Sequence, residues 1–309
     1  MPPPSHLLIA YAATAAPSCQ HTLQRLELPH LNQLLARLGP AEVDPGDELD
    51  YTPPHERALA RALHLPADFP PWAAWESHTA GAACAWMTPC HWQAGADQIH
   101  MHPPQTLALT EAESRALLAL LAPWFADEGI TLAYHAPLRW LATGEPLDGL
   151  HTASLDRVEG RDISHWRAHG PQERLLQRLH SEVQMLLYTH AFNDAREAAG
   201  QLPVNAFWLH GAGRLAQPVA APEPAPVLAL ELRAAALGGD WPAWADAWRQ
   251  LDAGAVAALL AQVRAGQPVR LTLCGERSAR SFDNHGRGLL AALRRQLQPQ
   301  RFANLQATL

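Results

Sequence analysis

The sequence predicts an α/β protein, a single domain over residues 1–309 with a mixed, mostly parallel sheet flanked by helices. Three observations predict it. Short apolar runs rich in branched and aromatic residues alternate with longer stretches of helical periodicity. Caps, N-terminal prolines and glycine stops bracket the helical stretches. A hydrophobic content of 48% with 17% charge in 309 residues is enough to fill a sizeable core. No internal repeat and no clean boundary divides the chain.

The elements follow in order. His6–Ala13 reads as a first buried strand, and a helix over 29–38 stops at Gly39 with Pro40 behind it. The acidic, turn-rich stretch 40–51 reads as a solvated loop. Thr52 as N-cap with Pro53 at the first helical position opens a helix to Leu63. Residues 82–92 suggest a strand broken by Pro89. Thr110 and Glu113 form a capping box on a helix to Ala126. The strand 130–136 pairs with 138–142 as a hairpin. Residues 172–189 give the best amphipathic helix, with Leu175, Leu176, Leu179, Val183 and Leu186 on one face. Strands over 204–209, 227–232 and 268–274 and helices over 241–250, 254–265 and 286–297 complete the chain. Trp241, Trp244 and Trp248 at helical spacing read as one packing face.

Composition narrows the partners. Thirty acidic residues outnumber 23 basic ones, all arginine, for a net charge of −7. With no basic run, a nucleic-acid backbone is not the expected partner. A bound phosphate would be held by guanidinium forks and backbone amides. No apolar stretch reaches membrane-spanning length. Four scattered cysteines without a CxxC pair, and an N-terminus without a basic leader, lead to the expectation of a reduced, cytoplasmic protein.

The most informative stretch is 188–214, YTHAFNDAREAAGQLPVNAFWLHGAGR. A helical turn carrying Asn193 and Arg196 feeds a strand from Asn205 that opens onto Gly211 and Gly213. Glycines at such a turn let backbone amides approach an anion or polar ligand; the alternative is that they permit close packing.

This stretch resembles the N-x-x-R…G…P-x-N-x-x-W-x-x-G-x-G signature of archaeal-type cofactor-independent phosphoglycerate mutases. Asn193, Arg196, Gly200, Pro203, Asn205, Trp208, Gly211 and Gly213 fall on the pattern. YTPPHERALARAL (51–63), TPCHWQAGADQI (88–99), TASLDRVEGRD (152–162) and SEVQMLLYTH (181–190) resemble a bacterial group of phosphoglycerate-mutase-like, RpfE-type regulatory proteins. The resemblance implies an alkaline-phosphatase-like core, and a two-metal site with a Ser or Thr that takes the phosphoryl group.

The chain departs from that implication. The first strand runs into Ala-Ala-Thr-Ala-Ala, without the Asp-Gly metal site, and the late Asp/His clusters are missing. After Gly213 one histidine remains, His285 beside Asp283. A two-metal site needs ligands enough to hold ions roughly 4 Å apart. No metal site and no defined cofactor are therefore expected.

Thr52 lies where the family nucleophile would stand, with a plain N-cap as the simpler reading; His55 and Glu56 read as partners of the same helix start. His91 and Asp97 share the resembling 88–99 stretch and are candidates for the same cleft. His100 and His102, with Cys90 near, have a spacing metals use, but the proline pair after them favours a polar loop. Arg157 and Arg161 at i, i+4 would clamp an anion or pair with neighbouring acids. The functional expectation is a divergent mutase-like protein that binds a small phosphorylated or carboxylated metabolite at Asn193, Arg196, Asn205, Gly211 and Gly213. Metal-dependent catalysis would be lost or rearranged. The alternatives are a regulatory protein with a vestigial cleft and a protein partner, and an active metal-dependent mutase or phosphatase.

Overall fold

The computed structural model describes residues 4–168, 170–284, 301–305 and 309. The chain divides into two compact units, Met1–Ala67 with Ala220–Leu309, and Asp68–Val219. Each is taken by itself.

Unit one begins with β1 (Ser5–Ile9), α1 (Pro17–Leu23), α2 (Pro29–Leu35), β2 (Gly39–Asp44) and α3 (Pro54–Ala62). Unit two contains α4 (Trp72–Glu76), β3 (Ala83–Cys90), β4 (Trp92–Ala94), β5 (Ile99–Met101) and α5 (Glu111–Ala126). It continues with β6 (Thr131–Ala136), β7 (Arg139–Thr143), α6 (Leu155–Val158), α7 (Glu173–Tyr188), α8 (Ala191–Ala198) and β8 (Ala206–Arg214). Unit one resumes with β9 (Val227–Ala229), α9 (Arg233–Gly238), α10 (Trp241–Leu251), α11 (Ala257–Arg264), β10 (Val269–Cys274), β11 (Ala279–Asp283) and α12 (Phe302–Leu305).

The unit-one sheet has the order β2-β11-β10-β1-β9. Strand alternation sends Leu7, Ile9, Leu271, Leu273 and Phe282 into a core with Leu31 and Leu34 of α2 and Trp244 and Trp248 of α10. Both indoles find acceptors: Trp244 Nε1 donates to the Tyr11 carbonyl at 3.0 Å and Trp248 Nε1 to that of Ala12 at 3.3 Å. They fasten the backbone that leaves β1, where Tyr11 takes φ 56°. The opposite sheet face carries His6, Thr272 and Ser281. A π-helical turn, Asp252–Val256, joins α10 to α11. Its buried Asp252 accepts from the amides of His30 (3.2 Å) and Leu31 (2.7 Å), capping the start of α2 from afar.

Unit two is built on an antiparallel sheet, β6-β7-β3-β8, with the small pair β4-β5 beside it. Met87, Trp140 and Phe207 meet Leu117, Leu121 and Phe125 of α5 and Leu179 and Val183 of α7. Each such side chain contributes about 1.5–3 kcal/mol on full burial. The capping box holds as expected: Thr110 Oγ1 accepts from the Glu113 amide (3.2 Å), and the Glu113 carboxylate accepts from the Thr110 amide (2.8 Å).

Several expectations need correction. The sheets are mixed, but only β1–β10 and β1–β9 pair in parallel, so "mostly parallel" does not hold among the described residues. Hairpins make three of the antiparallel pairs, β4–β5, β6–β7 and β10–β11, and long-range contacts make β2–β11, β3–β7 and β3–β8. The expected loop 40–51 contains β2, an edge strand paired with β11. Pro89 does not break β3; it lies opposite Phe207 and β3 is buried throughout. α3 is capped at Pro53, not Thr52, and has no side-chain cap. The glycines 211 and 213 do not form a turn after the strand. β8 runs through them to Arg214, with a bulge opposite β3. The helix expected over 286–297, and His285, lie outside the described residues.

Candidate functional site

Asn193 on α8 is buried and fully engaged. Its Nδ2 donates to the carbonyls of Leu187 (2.9 Å) and Val204 (2.7 Å), and its Oδ1 accepts from the Val204 amide (2.9 Å). It staples the end of α7 to the chain entering β8. Arg196, one turn on, is 2% exposed. It donates to the carbonyls of Leu202 and Leu107 and pairs with Glu113 at 2.8 Å. The anionic group facing this arginine is thus a carboxylate of the chain itself, the same one that closes the α5 capping box. These contacts with Thr110 and Arg196 hold the Glu113 carboxyl below its ordinary range.

Asn205 faces Trp92. Its Oδ1 accepts from the Trp92 amide at 2.7 Å and its Nδ2 donates to the Trp92 carbonyl at 2.8 Å, the pattern of a strand partner. His91 bonds through Nδ1 to the Pro203 carbonyl at 2.8 Å, and its ring lies 5.2 Å from that of His102. The structure therefore brings Asn193, Asn205 and His91 together around residues 203–205. Gly211 and Gly213 lie farther along β8, against α4. A Cβ on Gly211 would stand 2.8 Å from Trp72 Cβ, and one on Gly213 2.8 Å from Pro71 Cβ. Their φ values, 59° and 150°, also favour glycine. Asp97 is exposed in the β4–β5 connection. Arg157 is buried, its guanidinium 5.7 Å above the Trp166 ring, but α6 ends at Val158, so no helix aligns it with Arg161. Thr52 belongs to unit one; it is buried, and its carbonyl accepts from Arg57 Nη1 at 2.9 Å. His55 beside it is buried with its ring 5.4 Å from that of Tyr11.

What Asn205 positions is the wall of a cavity of about 290 Å³ in unit two. Trp92, Trp208 and Leu176 give it apolar surface, and Arg167, Glu173, Gln177 and Gln184 give it polar edges. Trp208, a residue of the sequence signature, is fixed by its Nε1 bond to the Ala153 carbonyl at 3.0 Å. His180 of α7 also lines the cavity, stacked on Phe207 at 4.0 Å and 4.8 Å from the Trp92 ring. Burial, with Arg167 nearby, pushes its imidazole down to about 3, so it is neutral at pH 7. Gln177 Nε2 bonds Glu173 at 2.9 Å, and Ser181 Oγ bonds the Gln177 carbonyl at 3.0 Å.

The sequence reading missed this half of the site. Its signal is a second stripe on α7: Gln177, His180, Ser181 and Gln184 recur at i, i+3, i+4 and i+7 beside the apolar stripe Leu176, Leu179, Val183, Leu187. A polar stripe on a helix face reads as solvated until a wall opposite it is known.

Among the described residues no group of three or more His, Cys, Asp or Glu is placed to hold a metal ion. The two-metal centre implied by the sequence resemblance thus finds no fitting ligand set there, and no step is derived through a metal. No described helix is long and apolar enough to cross a membrane.

No protein-family model matches the chain, and no curated protein sequence matches it. Among solved structures, the cofactor-independent phosphoglycerate mutase from Thermoplasma acidophilum DSM 1728 is similar at 12% identity and a TM-score of 0.33, over 90% of this chain and 89% of that one. The PH0037 protein from Pyrococcus horikoshii is similar at 10% identity and a TM-score of 0.42, over 92% and 88%. Both likenesses are distant.

Proposed function

We propose that the protein is a divergent phosphoglycerate-mutase-like chain that binds a small carboxylated metabolite with a flat apolar body in the cavity of unit two. The observation that carries this is the cavity itself, lined by two indoles and a leucine together with the side chains of Arg167, Gln177 and Gln184. Aromatic walls with a few polar groups are the usual composition of a small-molecule site. Phosphoglycerate, polar on every side, would leave Trp92, Trp208 and Leu176 without apolar partners, so the carboxylated reading is favoured over the phosphorylated one. In this reading Asn205 orients Trp92, while Asn193 and Arg196 position α8 and β8 from outside the cavity. The alkaline-phosphatase-like core and a regulatory role remain parts of the proposal that rest on the sequence resemblance.

The test is thermal unfolding with indole-3-acetate and with 3-phosphoglycerate, each with and without manganese. Indole-3-acetate is expected to raise the melting temperature without metal. At a hundred times its dissociation constant it would add about 2.7 kcal/mol. Ser181→Trp, which fills the cavity from an exposed helix position, should abolish the shift while leaving the free protein folded. An unchanged shift in that variant, or stabilisation by 3-phosphoglycerate alone, overturns the proposal. Manganese-dependent turnover of 3-phosphoglycerate would instead establish the active enzyme.

A further inference from the structure

The polar face of the unit-one sheet carries a second cavity, also about 290 Å³. Its floor is a chain of three side chains from adjacent strands. His6 Nε2 lies 2.8 Å from Thr272 Oγ1, which lies 2.8 Å from Ser281 Oγ. Thr272 is 1% exposed and both its neighbours line the cavity. Two ion pairs stand beside them. Arg61 grips both oxygens of Asp44 at 2.8 Å, and Arg270 pairs with Glu42 at 2.8 Å. Prolines 222, 224 and 226 form an apolar wall.

This arrangement constrains what fits. Two carboxylates and two guanidiniums border the space already paired, so its charge balances. An anion would meet Glu42 and Asp44, and a cation would meet Arg61 and Arg270. Burial and the nearby Arg270 charge push His6 down to about 4, so the ring is neutral at pH 7 and has a single N–H. The chain then has two proton arrangements. In one, Ser281 donates to Thr272 and Thr272 to Nε2, leaving an Nδ1–H donor and a serine oxygen acceptor. In the other, Nε2–H donates to Thr272 and Thr272 to Ser281, leaving Nδ1 as acceptor and the serine O–H as donor. His6 Nδ1 has no hydrogen-bond partner among the described residues. Each arrangement offers one donor and one acceptor. Hydroxyl groups, which both give and accept, complement either.

We propose that this cavity binds a neutral polyhydroxylated molecule, of the class of small sugars and cyclitols, through the His6–Thr272–Ser281 chain. The cavity lies at the lower end of the volumes that ligand sites occupy, about 300–1,000 Å³, which limits the ligand to one ring. The site is separate in residues and in chemistry from the unit-two cavity.

The experiment is NMR titration of the full chain with histidine rings labelled, the His6 signals being assigned by their loss in His6→Gln. Myo-inositol and glucose are the neutral probes, and inorganic phosphate and methylammonium the charged ones. At least one polyol is expected to shift the His6 ring signals, with Ser281→Ala weakening that binding about fivefold, as for loss of one neutral hydrogen bond. Ser281→Thr, which keeps the hydroxyl, should retain it. No shift by either polyol, or a charged probe acting at lower concentration than both, overturns the proposal. Unaltered polyol affinity in a folded Ser281→Ala also overturns it. The wild-type titration decides on its own if that variant fails to fold.

Discussion

Replacing Arg196 by alanine discriminates between an arginine kept for a ligand and one kept for the fold. The guanidinium is 2% exposed and makes three contacts: the Leu107 and Leu202 carbonyls and the Glu113 carboxylate. Removal leaves two acceptors unsatisfied, at about 1–3 kcal/mol each where they stay dry. Glu113 keeps its Thr110 bonds and is part-exposed, so its share is small. The void left by the arginine stem adds to the loss. Together these give about 3–5 kcal/mol, the range for breaking a buried pair from one side. That is a large part of a typical stability of about 5–15 kcal/mol. Urea unfolding followed by tryptophan fluorescence measures it as a lower midpoint at unchanged slope. Arg196→Lys should recover part of the loss, because one donor can still reach a carbonyl but the fork is gone. The reasoning fails if Arg196→Ala unfolds within about 1 kcal/mol of the parent. A variant that keeps its stability but loses ligand-induced stabilisation would point to a charge kept for binding.

Two further outcomes follow from the same geometry. Gly211→Val should destabilise the free protein by about 2–5 kcal/mol, from backbone strain plus overpacking against Trp72. Gly200→Ala, at φ 69° with open space around its added Cβ, should cost only about 1–2 kcal/mol; equal melting temperatures for the two variants would show that α4 does not pack as described. Acidification should also unfold the protein. His180 titrates in the fold at about 3 and His6 and His210 at about 4, all below an unfolded value near 6.5. The unfolded chain therefore binds protons first. The stability they permit is complete above pH 6.5 and is lost as pH falls towards the folded values, at up to about 1.4 kcal/mol per pH unit for each histidine. Stability that stays level between pH 6.5 and 5 would contradict this.

The sequence by itself determined the elements whose signals are local. The α5 capping box needs only Thr110 and Glu113, three residues apart. The apolar stripe of α7 and the β6–β7 hairpin likewise lie within a single segment. Caps, periodicity and turn chemistry act over a few residues, so they can be read without knowing what the segment meets. Within 188–214, Asn205 bonds both backbone groups of Trp92, and Trp208 lines the unit-two cavity, whereas Asn193 ties α7 to the chain entering β8. Tertiary structure decided the rest. The acidic stretch 40–51 yields a strand because β11, more than two hundred residues later, supplies its partner. The glycines of β8 lie in a strand because β3, more than a hundred residues earlier, pairs with it, and Pro71 and Trp72 approach too closely for a Cβ. Arg196 meets Glu113 across 83 residues of chain. Both cavities are assembled from segments no local pattern connects. Pairing, burial and the sharing of a carboxylate depend on which surfaces meet, and the energy that selects them is collected across the fold rather than along the chain.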